Sequence, residues 1–307
     1  LAARVQALRD AYAALDTFDE ATLEQTLRGL AEARGLKAGA LIHATRLAMT
    51  GKTVVVTGST SGIGLGIAKG FAAANANVVM NGFGDRAEID REVAAVDALG
   101  TGGVVYDPAD MSNGDQIVAM IAAAEARFGA VDVLVNNAGI QTVEPVENFP
   151  PERWDLIVAI NMTSAFHTTR AALPGMKRRG WGRIINISSA HGLVASPYKS
   201  AYVTAKHGIT GFTKTVALEA AQNGVTVNAI CPGYVLTPLV EKQIPETAAA
   251  RGITEEAVKR DVLLAAQWTK KFVTVEQLAG VALFLCSDAA ENITGVSLPV
   301  DGGWTAA

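Results

Sequence analysis

Side chains that can move a proton are concentrated in one short stretch, residues 188–206 (SSAHGLVASPYKSAYVTAK). Tyr202 and Lys206 stand four positions apart in a run with helical periodicity, so both belong to one helix face. Tyr198 has no lysine at that spacing. Because a neighbouring ammonium favours the phenolate form of a tyrosine, we predict Tyr202 to be the tyrosine whose proton is loosened.

Composition limits the classes of protein to which the chain can belong. Half of its 307 residues are hydrophobic and 18% are charged, which predicts a globular protein with a full core. No apolar run approaches the roughly 18 residues of a membrane-spanning helix, and the N-terminus lacks a signal-peptide pattern, so we expect a cytoplasmic location without a membrane partner. Cys231 and Cys286 are expected to be buried free thiols, and no metal site is predicted. The net charge of −4 makes nucleic acid an unfavourable partner and leaves a small molecule or a protein.

Strand and helix patterns alternate from residue 51 onward. Seven short β-branched runs are separated by amphipathic stretches, which is typical of parallel strands with crossover helices on both faces. The sequence predicts an α/β fold, a single doubly wound (Rossmann-type) domain over residues 51–307 with a seven-stranded parallel sheet. A more polar region at about residues 236–272 follows the sixth strand and is expected to form a helical lid, because ligands of such sheets bind beyond the carboxyl ends of the strands. The strand candidates are TVVVTG, NVVMNG, GGVVYD, VDVLVNNAG, GRIINISS, GVTVNAICPG and TGVSLPVDGG.

Residues 1–50 show a different pattern. They contain no strand signal and their apolar positions recur every three or four residues, so we predict a helical N-terminal extension. The run LEQTLRGLAEARGLKAGALIHATRLAMTG resembles the C-terminal end of the anticodon-binding region of bacterial glutamyl-tRNA synthetases. Basic and acidic residues balance in this extension, so its charge does not favour tRNA phosphates. A packing or solubilising appendage is the preferred interpretation.

A glycine-rich turn follows the first predicted strand. TGSTSGIG, residues 57–64, has glycines at 58, 62 and 64 and leads into a helical run. Such glycines let the backbone turn tightly and approach a pyrophosphate, whose charge lies at the positive end of the helix. A purely structural turn is the alternative, but the position between the first strand and the first helix favours nucleotide binding.

Several motifs occur together in the order and spacing of the short-chain dehydrogenase/reductase family, which the chain resembles over residues 51–307. They are TGSTSGIG, VNNAG at 135–139, Asn161 in AINMTSAF, Ser189, the Tyr202 and Lys206 pair, CPGYVLTP and VDGGW. The resemblance implies hydride transfer to or from a nicotinamide cofactor, with a catalytic set of Asn161, Ser189, Tyr202 and Lys206. It also implies that the cofactor is bound by Gly58, Thr60, Ile63, Gly64, Phe83, Asp110, Met111, Asn137, Val235, Tyr202 and Lys206.

The residues near the second strand indicate which nicotinamide cofactor is used. No Arg or Lys stands in TGSTSGIG or directly after NVVMNG, so a 2′-phosphate on the adenosine ribose would have no cationic partner. We therefore predict NAD. The acidic residue usual at this strand end is missing too, since Asn81, Gly82 and Phe83 stand there, and Arg86 follows a few residues later.

Oxidation of an alcohol needs a base that accepts the hydroxyl proton while hydride leaves the carbon. A free tyrosine has a pKa of about 10, but the Lys206 ammonium and the positive nicotinamide ring both favour the phenolate. Tyr202 is thus expected to be the base in oxidation and the acid in reduction. Ser189 can hydrogen-bond the substrate oxygen, while Ser188 is expected to point to the opposite side. By family resemblance, Lys206 also holds the nicotinamide ribose, and the backbone at Asn161 supports a water chain from Lys206 to solvent.

His191 and Lys199 lie in the same stretch and are not needed for this chemistry. A lysine there supplies positive charge for a carboxylate, which indicates a small hydroxy acid. Each of these residues alone could be a solvated or packing side chain. Together with Gln141 and Gln243 they resemble the carboxylate-binding set of the bacterial D-3-hydroxybutyrate dehydrogenases, which belong to the same family. The resemblance implies that these four residues bind the substrate, and that D-3-hydroxybutyrate and acetoacetate are interconverted.

Two other functions stay open. One is a short-chain reductase of the 3-oxoacyl-carrier-protein reductase type, which would need room for a phosphopantetheine arm and normally NADPH. The other is a protein whose N-terminal segment binds RNA or a partner, although the complete catalytic set argues against an inert enzyme domain. The family resemblance further implies a homotetramer, with Trp304 either an interface anchor or part of its own core.

Overall fold

The computed structural model describes residues 49–307, except for several side chains of the helix Pro238–Arg251. The predicted helical extension therefore lies outside the described residues, apart from its last two positions. Seven strands form one parallel sheet in the order β3-β2-β1-β4-β5-β6-β7, which confirms the predicted doubly wound fold. The strands are β1 Thr53–Val56, β2 Asn77–Asn81, β3 Val104–Asp107, β4 Val133–Asn136, β5 Gly182–Ile187, β6 Val225–Pro232 and β7 Ser297–Val300.

Helices connect the strands and cover both faces of the sheet. Strand β1 shows why its sequence is apolar throughout: Val54 and Val56 face one core cluster and Val55 faces the other, because successive side chains of a strand point to opposite faces. The helices are α1 Gly62–Ala73, α2 Arg86–Asp97, α3 Gly114–Phe128, α4 Pro151–Val158, α5 Ser164–Arg179, α6 Ser200–Ala220, α7 Pro238–Arg251, α8 Glu255–Ala257 and α9 Val275–Leu285. Within residues 49–307, none of them is long and apolar enough to cross a membrane.

Side-chain caps fix where several helices begin. The Asp85 carboxylate accepts a hydrogen bond from the Glu88 amide at the start of α2, and Asn113 caps α3 in the same way. Helix α9 has a capping box between Thr274 and Gln277. These caps satisfy amide groups that the first turn of a helix leaves without partners.

A π-helical segment, Ala159–Thr163, joins α4 to α5. It places one wider turn inside an otherwise continuous helical stretch, and the sequence pattern did not predict it. Such turns occur frequently at functional sites because they displace side chains and backbone groups from the regular helical positions. The displaced segment contains Asn161.

The predicted helices after the sixth strand are present. They comprise α7, α8 and a second π-helical segment, Val258–Leu263. Ile244, Ala248 and Val258 form a small core of their own, separate from the two clusters of the sheet. The segment joins the main domain through a parallel bridge between Val235 and Val273. This small core lets the inserted helices pack on one another beside the sheet.

Candidate active site

The site lies where the strand order reverses between β1 and β4. At this position two neighbouring strands lead to connections on opposite faces, which opens a crevice beyond their carboxyl ends. The glycine turn follows β1, the VNNAG segment ends β4 and Ser189 follows β5. The predicted cofactor and catalytic residues are therefore brought to one edge of the sheet.

Two glycines of the turn after β1 have no room for a Cβ atom. Gly58 has φ +61°, and a Cβ at this position would lie 2.8 Å from the Ala138 Cα atom. A Cβ on Gly64 would lie 2.3 Å from the Gly58 carbonyl oxygen. Both positions need glycine because backbone packs directly on backbone, as expected of a turn that approaches a pyrophosphate.

Asn137 supports this turn. Its amide nitrogen donates to the carbonyl oxygens of Thr57 and Gly58, each at 2.9 Å. The Thr57 hydroxyl in turn accepts hydrogen bonds from the backbone amides of Asn137 and Ala138, each at 3.0 Å. The side-chain donors of Asn137 are thus committed to the protein, and its side-chain oxygen is the atom that can meet a ribose.

Asn81 stands at the end of β2, where the family usually has an acidic residue, and its side chain makes structural hydrogen bonds. It is fully buried, and its side-chain oxygen accepts from the Gly58 amide at 3.3 Å. Its amide nitrogen donates to the carbonyl oxygens of Asp107 and Ala109 at 3.1 and 2.8 Å. Asn81 therefore holds the glycine turn to the end of β3, which is a structural role.

The surroundings of Phe83 bear on the choice between NAD and NADP. Phe83 is 65% exposed, and the Thr60 hydroxyl donates to its carbonyl oxygen at 3.0 Å. Arg86, the nearest cation along the chain, forms an ion pair with Asp90 at 2.9 Å. Its guanidinium group is therefore already paired with a carboxylate.

The other predicted cofactor residues follow the ends of their strands. One oxygen of Asp110 accepts from both the amide and the hydroxyl of Ser112 at 2.8 Å, which fixes the turn after β3. Met111 and Val235 are buried, and Ile63 is half-buried in the first turn of α1. Together with the glycine turn, these residues fit a dinucleotide.

Helix α6 carries both Tyr202 and Lys206, as their spacing predicts. The Lys206 Nζ atom lies 5.6 Å from the centroid of the Tyr202 ring and donates to the Ile187 carbonyl oxygen at 2.7 Å. Lys206 is 4% exposed, and burial lowers its pKa to about 8, while the nearby Cys231 acts in the opposite direction. The lysine is thus held in place by the end of β5.

Burial and neighbouring groups act on the pKa of Tyr202 in opposite directions. Burial raises the pKa above its ordinary value, whereas the hydrogen bond from Ser189 lowers it and the nearby Tyr234 raises it. Its hydrogen bond with Ser189 therefore favours the phenolate.

The hydroxyls of Ser188 and Ser189 have different hydrogen-bond partners. Ser189 has extended backbone torsions (φ −169°, ψ 163°), and its hydroxyl accepts from the His191 amide at 3.1 Å. The buried Ser188 hydroxyl donates to the Lys206 carbonyl oxygen at 3.1 Å. Residues 187 and 188 therefore bind Lys206 at its side chain and at its backbone.

Asn161 is buried and acts on the loop after β4. Its side-chain oxygen accepts from the Ile140 amide at 2.8 Å, and its side-chain nitrogen donates to the Ile140 carbonyl oxygen at 2.9 Å. The side chain is therefore used to fix that loop, which also carries Gln141.

His191 and Lys199 lie together beside Tyr202. The Lys199 Nζ and His191 Nε2 atoms are 3.5 Å apart, and the His191 and Tyr202 ring centroids are 6.3 Å apart. Burial and then the charge of Lys199 lower the pKa of His191 to about 4, so this ring is neutral at pH 7 and its Nε2 atom can accept from the ammonium. Burial also lowers the pKa of Lys199. The pair presents one partly desolvated positive charge.

Of the two glutamines predicted to bind the substrate, Gln141 has a described side chain and Gln243 does not. Gln141 is exposed on the loop after β4, and this loop is tied to the Lys199 loop by a 2.8 Å hydrogen bond from the Glu144 amide to the Tyr198 carbonyl oxygen. Gln243 lies on α7, and its side chain lies outside the described part of the structure. The structure thus brings His191 and Lys199 together and places Gln141 on the adjoining loop.

Two aromatic residues of the site were not assigned to it from the sequence. The Trp304 ring contacts the His191 ring edge to face, with centroids 5.0 Å apart, and stacks on Tyr234 with centroids 5.7 Å apart. Trp304 therefore contacts a residue of the site within its own chain. Both aromatic residues closely follow the carboxyl ends of strands, β6 for Tyr234 and β7 for Trp304, and this position was the available signal.

Comparison with known families agrees with this geometry. The family described as short chain dehydrogenase matches residues 52–248, which is more than half of the chain. The chain belongs to this family. As a short-chain dehydrogenase it is an oxidoreductase, which confirms the enzyme class predicted from the motifs. The family described as anticodon binding domain matches residues 1–65, in agreement with the resemblance seen in the extension, and the two matches overlap at residues 52–65.

Individual relatives cover nearly all of the dehydrogenase region. The chain is 62% identical to D-beta-hydroxybutyrate dehydrogenase of Rhizobium meliloti over 255 residues, which are 83% of this chain and 99% of that protein. It is 58% identical to the protein of the same name from Cupriavidus necator, over 84% of this chain and 99% of that one. A crystal structure of a candidate gluconate dehydrogenase from Agrobacterium tumefaciens superimposes with a TM-score of 0.76 at 32% identity, covering 84% of this chain and 98% of that chain.

Proposed function

We propose that this short-chain dehydrogenase catalyses the NAD-dependent oxidation of D-3-hydroxybutyrate to acetoacetate and the reverse reduction. The observation that carries the proposal is the Lys199 and His191 pair, a cationic site beside the Tyr202 ring. A substrate carboxylate bound there leaves its carbon-three hydroxyl within reach of Tyr202 only if the acid is short. The two relatives named D-beta-hydroxybutyrate dehydrogenase, at 62% and 58% identity, support the same substrate.

Ser189, Tyr202 and Lys206 have different roles in the proposed reaction. In oxidation, the substrate hydroxyl lies between Ser189 and Tyr202, and its proton passes to the Tyr202 oxygen as hydride leaves carbon three. NAD, when bound, would supply the hydride acceptor, and its positive ring would favour the Tyr202 phenolate against the effect of burial. Lys206, held by the Ile187 carbonyl group, then passes the proton toward solvent along the backbone near Asn161.

NAD is favoured over NADP by the residues near Phe83. Asn81 is neutral and Arg86 is paired with Asp90, so these residues offer no unpaired positive charge to a 2′-phosphate. The predicted cofactor residues near this point, Gly58, Thr60, Ile63, Gly64 and Phe83, carry no charge. The ratio of kcat/KM with NAD to kcat/KM with NADP measures this preference directly.

The organisation of the chain is part of the proposal. We infer a dehydrogenase domain over residues 51–307, supported by the family match that begins at residue 52, and an extension before it. The inserted helices α7 and α8 are proposed to close over the substrate, which would bring Gln243 to the carboxylate and exclude water.

A homotetramer is proposed as well. Phe166 on α5 is 46% exposed and Leu218 on α6 is 82% exposed, as expected of surfaces that pair between subunits. Size-exclusion chromatography with light scattering tests the assembly.

Neutral analogues test the assignment of the substrate. Wild-type enzyme is expected to oxidise D-3-hydroxybutyrate at a KM at least about tenfold below that for its methyl ester, because the ester cannot pair with Lys199. The rival function is tested in parallel by reduction of an acetoacetyl thioester with NADH and NADPH. Efficient reduction of the thioester with NADPH, together with an ester KM equal to that of the acid, would favour the carrier-protein reductase.

A further inference from the structure

The last residues of the described chain are connected to the substrate side of the site. Trp304 lies in the short 3-10 helix Trp304–Ala306 that ends the fold, and its ring lies between Tyr234 and His191. His191 has no room to rotate freely, because it is 5% exposed and packed edge to face on that ring. The orientation of Trp304 therefore limits the positions available to His191.

A single carboxylate holds the backbone on both sides of Trp304. One oxygen of the buried Asp301 accepts from the Gly303 amide at 3.0 Å. The other accepts from the Thr305 amide at 2.9 Å and from the Thr305 hydroxyl at 2.6 Å. Trp304 stands between the two anchored residues, so its backbone is clamped by three hydrogen bonds to a charged group.

The turn that presents Trp304 is strained for any residue other than glycine. Gly302 and Gly303 have φ values of +62° and +85°, and a Cβ on Gly302 would lie 2.4 Å from the Thr269 hydroxyl oxygen. Such a turn needs an external restraint to stay in one conformation. Asp301 supplies that restraint.

The stacking partner of Trp304 is held independently. The Tyr234 amide donates to the side-chain oxygen of Gln267, which is fully buried and whose side-chain nitrogen donates to the Lys271 carbonyl oxygen at 2.7 Å. The Tyr234 ring thus offers a fixed surface on one side of Trp304, and the Asp301 clamp fixes the backbone from which the Trp304 ring projects.

We propose that Asp301 is a positioning residue for substrate binding, acting through Thr305 and Trp304 on His191. This inference rests on the proposed function, since His191 is taken to bind the substrate carboxylate. Neither Asp301 nor Thr305 touches the reacting atoms. Their effect is on the affinity for the hydroxy acid and not on hydride transfer.

The decisive variant is Asp301→Asn. An amide has one acceptor oxygen instead of two, so in either orientation an N–H group of Gly303 or Thr305 faces an NH₂ group. The KM for D-3-hydroxybutyrate is expected to rise about tenfold, as for the loss of one hydrogen bond to a charged group, with kcat within about twofold of wild type. The dissociation constant of NADH, measured by fluorescence titration, should not change.

Three further variants separate positioning from general damage. Thr305→Val removes the hydroxyl donor alone and should raise KM several-fold, and it decides the question if Asp301→Asn does not fold. Thr305→Ser keeps the donor and should restore the wild-type KM. Asp97→Asn is the matched control, because Asp97 also accepts a backbone amide, that of Val104 at 3.0 Å, but lies before β3, away from the site.

A spectroscopic readout is independent of any activity. With 5-fluorotryptophan incorporated, the ¹⁹F resonance of Trp304, assigned with Trp304→Phe, should shift or broaden in Asp301→Asn and Thr305→Val while those of Trp154 and Trp181 stay unchanged. An unchanged Trp304 resonance, or a KM that stays at the wild-type value in both variants, overturns the inference. Absence of 3-hydroxybutyrate oxidation in the wild type would instead overturn the proposed function, and the ¹⁹F result would still decide the role of Asp301.

Discussion

Replacing Lys199 by methionine tests how the substrate carboxylate is bound. Methionine keeps much of the length of the side chain and removes its charge. Lys199 is half-buried and burial lowers its pKa, so its ammonium is partly desolvated and its hydrogen bond to a carboxylate is worth about 1.5–3 kcal/mol. Because about 1.4 kcal/mol corresponds to a factor of ten, the KM for D-3-hydroxybutyrate should rise about 10- to 100-fold, with kcat changed far less.

The variant also has an expected pH signature. Lys199 is the second cause, after burial, that lowers the pKa of His191, so Lys199→Met should raise that pKa above its value of about 4. A His191 ring that gains a proton at mildly acidic pH can itself pair with the carboxylate. The defect in KM should therefore shrink as the pH falls from 7 toward 5, whereas the wild type should not show this gain.

Initial rates of NADH formation at saturating NAD give both quantities. Lys214→Met is the matched control, because Lys214 is an exposed lysine on the same helix α6. The methyl ester of the substrate should show the same KM with wild type and Lys199→Met. A loss confined to kcat, or an equal rise in KM for acid and ester, would refute the carboxylate assignment.

Three further predictions follow from the geometry. His191 has a pKa of about 4 in the folded state and 6.5 in the unfolded state, so the unfolded state binds more protons between these two pH values. The contribution of His191 to the free energy of unfolding is therefore full above pH 6.5 and falls by up to about 3 kcal/mol by pH 4. In urea unfolding, the difference in stability between wild type and His191→Asn should accordingly be smaller at pH 4.5 than at pH 7. Gly64→Ala would place a Cβ 2.3 Å from the Gly58 carbonyl oxygen, so NADH affinity should fall at least about tenfold in a fluorescence titration; unchanged affinity would show that the turn does not hold the dinucleotide. Asn161→Ala removes two buried hydrogen bonds to Ile140 and should cost about 1–3 kcal/mol in urea unfolding, and a smaller cost would mean that this pair does not fix the loop.

The seven strands and their parallel arrangement could be predicted because each strand is a short run of β-branched residues bounded by turn signals. Strand β1 is buried on both faces, and its sequence TVVV shows this directly. The spacing of Tyr202 and Lys206 likewise predicts their common helix face. Local sequence determines these features, so the pattern is sufficient.

Features that depend on contacts between distant parts of the chain were not predictable. Asn81 and Gly58 are 23 positions apart, and only the folded sheet shows that Asn81 replaces the usual acid with a structural amide. The π-helical segment around Asn161 has no distinct residue pattern. Trp304 was left between an interface role and a core role because its neighbours His191 and Tyr234 belong to other strand ends.

The expected effect of Lys206 on the pKa of Tyr202 shows a second limit of prediction from sequence. Spacing places a cation beside the phenol, but the size of its influence depends on burial, which a sequence does not give. Burial raises the pKa of Tyr202 and lowers that of Lys206, so it disfavours the charged form of both groups, while the hydrogen bond with Ser189 favours the phenolate.

The measurement that tests the central claim most directly is the initial rate of NADH formation from D-3-hydroxybutyrate and from L-3-hydroxybutyrate, each with NAD and with NADP. The proposed function predicts turnover of the D enantiomer with NAD, and at most weak turnover in the other three combinations. Equal rates with both enantiomers, a preference for NADP, or no turnover of either enantiomer would contradict the assignment of substrate and cofactor while leaving membership of the short-chain dehydrogenase family in place.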